Sequence, residues 1–249
     1  IPSVLIFDFK DYATQDRYLK RLAFFTEKIG YRGILMRDED IASQHGWNAH
    51  DYRALDLAAF FQAAREKSFP LDSEEIELEG ILESAGIIVE SGGSQGKKRL
   101  IVAGEGAIIS IARESGEALR WTLAVHESTH GILFADPDYR AFAQSQWASL
   151  DTGERWFWKT YDVGSSYLMG NEFQAYLLQQ PVSMVGETFE KTRAAELLEK
   201  HLELKDQVDA YMAQYGDRFA EHAAKLESWL YEKYGVQAGK TVFLTRSRN

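Results

Sequence analysis

The chain contains no cysteine and only 4 prolines in 249 residues. Without thiols there are no disulfides, no thiolate metal sites and no cysteine nucleophile, so any metal site or catalytic group must come from other side chains. Scarce proline leaves long stretches free to be helical. Positive charge is also in deficit: 28 Lys and Arg stand against 38 Asp and Glu, a formal net charge of −10. Such a chain repels nucleic-acid phosphates on average, and no nucleic-acid partner is expected. Its densest basic run, Lys97-Lys98-Arg99, is too short to reverse that and reads as a solvated hairpin flank. No apolar run reaches the length of a membrane span, and there is no internal repeat or low-complexity tract. The chain opens on Ile1 rather than Met, as it would after loss of a signal peptide, while the lack of cysteine suits an exported and a cytoplasmic protein equally.

What is present is the composition of a folded protein, 45% apolar and 27% charged, with 14 Phe, 12 Tyr and 6 Trp. The pattern predicts an α+β class with a small mixed sheet in the first half and an all-helical second half. Residues 1–115 form the first region and 116–249 the second, and the two could make one continuous domain. Ser3 to Phe7 reads as a buried strand and Gln15 to Lys28 as a helix, followed by a short strand at Ile34-Leu35-Met36. A helix is expected from Asn48 to Lys67 with Leu55, Ala58, Ala59 and Phe60 inward, and another from Ser73 to Ser84. Three short β-rich runs follow, Gly86 to Val89, Arg99 to Ala103 and Ala107 to Ala112. From Gly116 to Tyr234 nearly everything is helical, with turns near Asp136-Pro137-Asp138, Asp151-Thr152-Gly153, Gly164 and Gln180-Pro181. Lys240 to Asn249 reads as a strand or loose tail.

The sharpest signal is His126-Glu127-Ser128-Thr129-His130. Residues four apart share one face of a helix, so both imidazoles can reach a single metal ion, and the glutamate beside them is placed to take a proton from water. Neutral imidazoles suit zinc, which in catalytic sites takes three protein ligands and keeps one position open. The segment Glu117 to Ala135 has no proline and can be helical throughout, with Leu119, Leu123 and Leu133 on the histidine face. The alternative is a pair of core histidines satisfied by hydrogen bonds.

Glu172, at the start of an expected helix in Gly170-Asn171-Glu172-Phe173-Gln174-Ala175, is the favoured third ligand, with Ala175 permitting close helix contact. Asp136, Asp138 and His201 are the other candidates. Asp136 stands where one zincin branch places its third ligand, but the glycine which that branch needs at its turn is Leu133 here. A carboxylate at a helix start is also favoured by the helix dipole alone, which is the structural alternative for Glu172.

His126-Glu127-x-x-His130 followed by Asn171-Glu172-x-x-Ala175 resembles the gluzincin zinc metallopeptidases, and Ser166-Tyr167 ahead of Glu172-Phe173-Gln174-Ala175 is similar to the catalytic domain of the anthrax lethal factor type. The resemblance covers about Trp121 to Gln180. It implies a zincin-like fold, a zinc ion held by His126, His130 and Glu172, Glu127 as general base for hydrolysis of a peptide or protein substrate, and Tyr167 as an oxyanion-stabilising group, with Tyr161 and Tyr176 as rivals. It further implies a sheet edge that pairs with extended substrate, a place given to Ala107 to Ala112. Alternatives are a catalytically silent metal-binding module that recognises a protein, or a zinc hydrolase of non-peptide amides or esters.

Three weaker signals have structural readings. His50 and Asp51, in Gly46-Trp47-Asn48-Ala49-His50-Asp51-Tyr52, could form a second functional site or line the cleft, and their structural reading, the favoured one, is a helix start with Asn48 as N-cap and Asp51 in the capping box. Asp8, just after the first strand, could be a site residue, as polar groups at strand ends often are, but a single carboxylate is too little to define a site. Gly92-Gly93-Ser94-Gln95-Gly96 lacks the lysine of a phosphate loop and reads as a hairpin turn.

Overall fold

Ala107-Ile108-Ile109-Ser110-Ile111-Ala112 is apolar at every position but one, with no polar alternation, the pattern of a strand covered on both faces. All six residues are buried. The structure, a computed structural model, describes residues 3–92, 99–156, 158, 166–186, 194–195, 197–199 and 201–240. It is of mixed α+β class, and the chain divides into two units, Ile1–Trp121 and Thr122–Asn249.

In the first unit β1 (Val4–Phe9) and β2 (Ala49–Arg53) flank β5 (Ala107–Ala112) in the order β1-β5-β2. β1 runs parallel to β5 with Leu5 opposite Ile108, and β2 runs antiparallel with Tyr52 opposite the same Ile108. β3 (Ile88–Ser91) and β4 (Leu100–Ala103) form a separate antiparallel pair. Helices α1 (Tyr12–Thr26), α3 (Ala54–Glu66) and α4 (Ser73–Ser84) close the core through Leu19, Leu22, Leu57, Phe61 and Leu78; α2 (Asp38–Ile41) is a single turn. Asp11 caps α1 by accepting from the Thr14 N–H at 2.7 Å, and Asp72 with Glu75 forms a capping box on α4.

Several expectations are corrected here. β5 is the central strand, so its hydrogen-bonding edges are both occupied and it cannot pair with substrate; its unbroken apolar run was the sign of a central position. The first strand extends to Phe9 and is an edge strand, with Ile6 53% exposed rather than buried. Residues 34–36 form no strand. The segment read as a helix start at Asn48 leads directly into strand β2, so Asn48 and Asp51 do not open α3, which begins at Ala54. Ala58 and Phe60 are buried as expected, but Leu55 and Ala59 face outward and Leu57 and Phe61 are buried in their place. β-branched and aromatic content did not mark this strand; its pairing with the apolar β5 overrides local propensity. Asp8 lies within β1 and forms an exposed ion pair with Arg113 at 2.7 Å. Residues 93–98 of the glycine-rich turn and basic flank, Tyr161, Gly164 and residues 241–249 of the tail lie outside the described residues.

The second unit is helical. It takes in α5 (Glu117–Ala135) from Thr122 onward, α6 (Pro137–Ser149), α7 (Thr152–Trp156), α8 (Ser166–Leu178) and α9 (Lys205–Tyr234). Pro137 occupies the first turn of α6, where its missing N–H costs nothing, and Asp136 caps that helix through the N–H groups of Asp138 and Tyr139. Gly235, at φ +69°, ends α9 in the left-handed conformation that a side chain would disfavour. α8 packs on α6 and α9. Among the described residues no helix is long and apolar enough to cross a membrane.

Candidate metal centre

Helix α8 is fixed by its apolar side. Phe173 is fully buried between the rings of Trp147 and Trp158, with centroids 5.6 and 5.4 Å away. Gln174, also fully buried, accepts from the Tyr139 hydroxyl at 2.9 Å and donates to the Asn171 carbonyl at 3.1 Å. With those positions committed to the interior, Glu172, Tyr176 and Gln179 fall together on another face, at helical spacings of four and seven. That face meets the histidines of α5.

His126 and His130 are 9% and 1% exposed, and their Nε2 atoms lie 3.0 Å apart. Glu172 brings its carboxylate oxygens to 3.6 Å from His126 Nε2 and 3.9 Å from His130 Nε2. The opposite nitrogen of each ring meets an amide oxygen: His126 Nδ1 lies 3.0 Å from Gln179 Oε1, and His130 Nδ1 lies 2.7 Å from Asn171 Oδ1. An amide oxygen facing Nδ1 favours the proton on that nitrogen, the tautomer that turns the Nε2 lone pair inward. Burial holds the His130 imidazole below the ordinary histidine range, against the opposing pull of Glu172 and the Asn171 hydrogen bond, which keeps the ring in the neutral form a metal ligand needs. Phe134 stacks on His130 at 6.2 Å and Tyr176 meets His126 edge-on at 4.8 Å, so the donors sit between aromatic walls.

Scans of family models, of curated proteins and of solved structures found no match to the chain.

The donor set fits a divalent cation on its own geometry. Two lone pairs and a carboxylate facing one another at these distances repel, and either a cation among them or a proton shared between the two Nε2 atoms removes that repulsion. Tetrahedral zinc, with bonds of about 2.0–2.2 Å, holds its ligands roughly 3.3–3.6 Å apart; the separations of 3.0, 3.6 and 3.9 Å fall around that range. His126, His130 and Glu172 thus form a group able to hold a metal ion, two of them buried and the third half-buried. Glu127 is 6% exposed, and one of its carboxylate oxygens lies within 4.8 Å of a His130 ring nitrogen.

The other candidate ligands are engaged elsewhere. Asp136 accepts from the Tyr234 hydroxyl at 2.5 Å and pairs with Lys233 at 2.8 Å, while capping α6. Asp138 is exposed beside Lys233, and His201 lies exposed beside Glu203. Tyr167 stands in the first turn of α8 and its side chain lies outside the described residues. Leu119 is 46% exposed, so the inward face of α5 begins at Ala124 rather than at its N-terminus. His50 is buried in β2, where Nδ1 lies 2.9 Å from Ser110 Oγ and 3.2 Å from Gln15 Nε2. Asn171 and Gln179 were not singled out as histidine partners from sequence. The signal for Gln179 was available: seven residues after Glu172 is two helical turns, the same face.

Proposed function

We propose that the chain is a zinc-dependent hydrolase of peptide bonds, a metallopeptidase of the gluzincin type on a zincin-like fold. The observation that carries the reading is the convergence of His126 Nε2, His130 Nε2 and a Glu172 carboxylate within 3.9 Å, with each histidine tautomer set by an amide oxygen on its far side. Those three side chains would hold the metal. Bound zinc supplies Lewis acidity, making water acidic enough to react near neutral pH and polarising the scissile carbonyl.

The chain's own part is proton transfer and positioning. The Glu127 carboxylate accepts a proton from the attacking water and delivers it to the amide nitrogen as the C–N bond breaks, yielding a carboxylate and an amine. Asn171 and Gln179 keep the imidazoles turned inward through the cycle. Tyr167 is assigned to the developing oxyanion by resemblance alone.

The test pairs two variants. Glu127→Gln should retain one zinc per chain and lose about 10²–10⁴-fold in turnover of a mixed peptide library. His126→Ala should lose both zinc and turnover. Wild-type hydrolysis by Glu127→Gln would overturn the mechanism, and unchanged zinc content in His126→Ala would overturn the ligand assignment.

A further inference from the structure

Gln179 stands at the C-terminal end of α8, just beyond its last residue, Leu178. A glutamine side chain at a helix end is ordinarily a solvated group. This one reaches His126 Nδ1 at 3.0 Å with its Oε1, and its backbone is clamped from both sides. Its own N–H donates to the Ala175 carbonyl at 2.9 Å. The neighbouring Leu178 carbonyl accepts from the Gly239 N–H at 2.8 Å. Gly239 has φ +70°, and a Cβ there would stand 2.4 Å from Pro181 Cδ, so the approach of this segment to the end of α8 requires glycine. Ala238, one residue earlier, donates its N–H to Glu227 Oε1 on α9 at 2.9 Å, which ties the clamp to the long helix. The amide oxygen is therefore carried on a backbone held in place before any ligand binds.

We propose that Gln179 is a positioning residue that fixes His126 in the Nδ1–H tautomer, and that the centre is distinguished by having a neutral amide as the Nδ1 partner of both histidines. A neutral imidazole can carry its proton on either nitrogen, and the partner at one decides which nitrogen remains a ligand. Asn171 performs this for His130 at 2.7 Å, and Gln179 performs it for His126. Neutral partners leave each imidazole a weaker donor than a carboxylate partner would. Replacing Gln179 by glutamate should therefore strengthen metal binding, while removing the acceptor should weaken it. The metal-binding part of this inference rests on the proposed zinc reading; the tautomer part does not.

The experiment separates them. In metal-free protein at pH 8, long-range proton–nitrogen NMR of the histidine rings should show His126 with its proton on Nδ1. Gln179→Leu, or Gln179→Ala if leucine disturbs the fold by circular dichroism, should move that proton towards Nε2 and lower zinc affinity by about 10–100-fold in chelator competition. Gln179→Glu should keep the native tautomer and bind zinc at least as tightly as the native chain. The inference is overturned if His126 carries its proton on Nε2 in the native chain, or if Gln179→Leu keeps both native tautomer and native affinity. Should the tautomer depend on Gln179 while no form of the protein binds zinc, the positioning role stands and the hydrolase reading falls.

Discussion

Each unit of the protein buries histidine, and the two settings differ in where the lone pairs go. In the first unit His50 is 1% exposed and lies in strand β2, its Nδ1 turned to Ser110 Oγ and Gln15 Nε2, two side chains that are themselves fully buried. Those contacts tie two strands and a helix of one core together. In the second unit His126 and His130 use their Nδ1 atoms in the same structural way, on Gln179 and Asn171, but turn both Nε2 atoms towards each other and a half-buried carboxylate. Burial alone does not separate a structural histidine from a ligand. The distinction lies in whether the remaining nitrogen converges with other groups able to donate electron pairs, an arrangement suited to a shared cation or proton.

The largest effect expected on the structural side of this comparison concerns Arg21. Its guanidinium is 3% exposed and donates to Glu75 at 2.8 Å, to Asp38 at 2.6 Å and to the Met36 carbonyl at 2.6 Å. Glu75, equally buried, also accepts from the Asp72 N–H that opens α4. Arg21→Met leaves that carboxylate buried without its cation and should cost about 3–5 kcal/mol of stability in denaturant titration. Zinc content and turnover at low temperature should be unaffected. Loss of zinc in a variant that remains folded would mean that the polar core of the first unit also serves the metal centre.

His50 gives the next largest effect, seen through pH. Desolvation on burial, aided by the positive groups His45 and Lys28, lowers its pKa from 6.5 to about 3. The unfolded chain binds a proton at His50 below pH 6.5 and the folded chain does not until about pH 3, so in that window the unfolded state takes up more protons. Stability is therefore full above pH 6.5 and falls as pH drops towards 3, by roughly 3 kcal/mol at pH 4. The comparison of interest is the change in stability between pH 7 and pH 4 in the native chain and in His50→Asn. The native chain should lose more, and equal losses would show that His50 is not held neutral.

The two settings were unequally legible in the sequence. The convergence of His126, His130 and Glu172 was legible because its geometry is local: two histidines one helical turn apart share a face without knowledge of the fold, and Glu172 shares its helix with the residues that orient it. The β2 segment was not visible, because Ala49-His50-Asp51-Tyr52-Arg53 has neither strand propensity nor alternation and, among the described residues, pairs only with β5, nearly sixty residues later. The same long-range pairing made β5 central and overturned its reading as an open edge. Helix register failed for a related reason: once the start of α3 moves from Asn48 to Ala54, Leu55 turns outward, and no local rule could place that boundary. Asn171 and Gln179 were missed because amides have no motif of their own.

Asp136 offers the smallest and most discriminating test, since it was a rival ligand and lies one residue beyond the helix that carries His126 and His130. It is 4% exposed. Burial opposes its charge, but Lys233, the Tyr234 hydroxyl and the backbone N–H groups of Tyr139 and Asp138 more than compensate and lower the carboxyl from 3.8 to about 2. A depressed carboxylate stabilises the fold above its unfolded pKa, and that contribution is lost as pH falls from about 3.8 towards 2. Asp136→Ala removes the cap of α6 and the contacts to α9 together and should cost about 1–2 kcal/mol at pH 7. Asp136→Asn keeps Oδ1 for the N–H groups and gives up the Oδ2 acceptor shared by Lys233 and the Tyr234 hydroxyl, so it should cost less than alanine and flatten the acid limb below pH 4. Both variants should bind zinc as the native chain does. If either folds normally and loses zinc, the carboxylate that completes the centre is Asp136 and not Glu172.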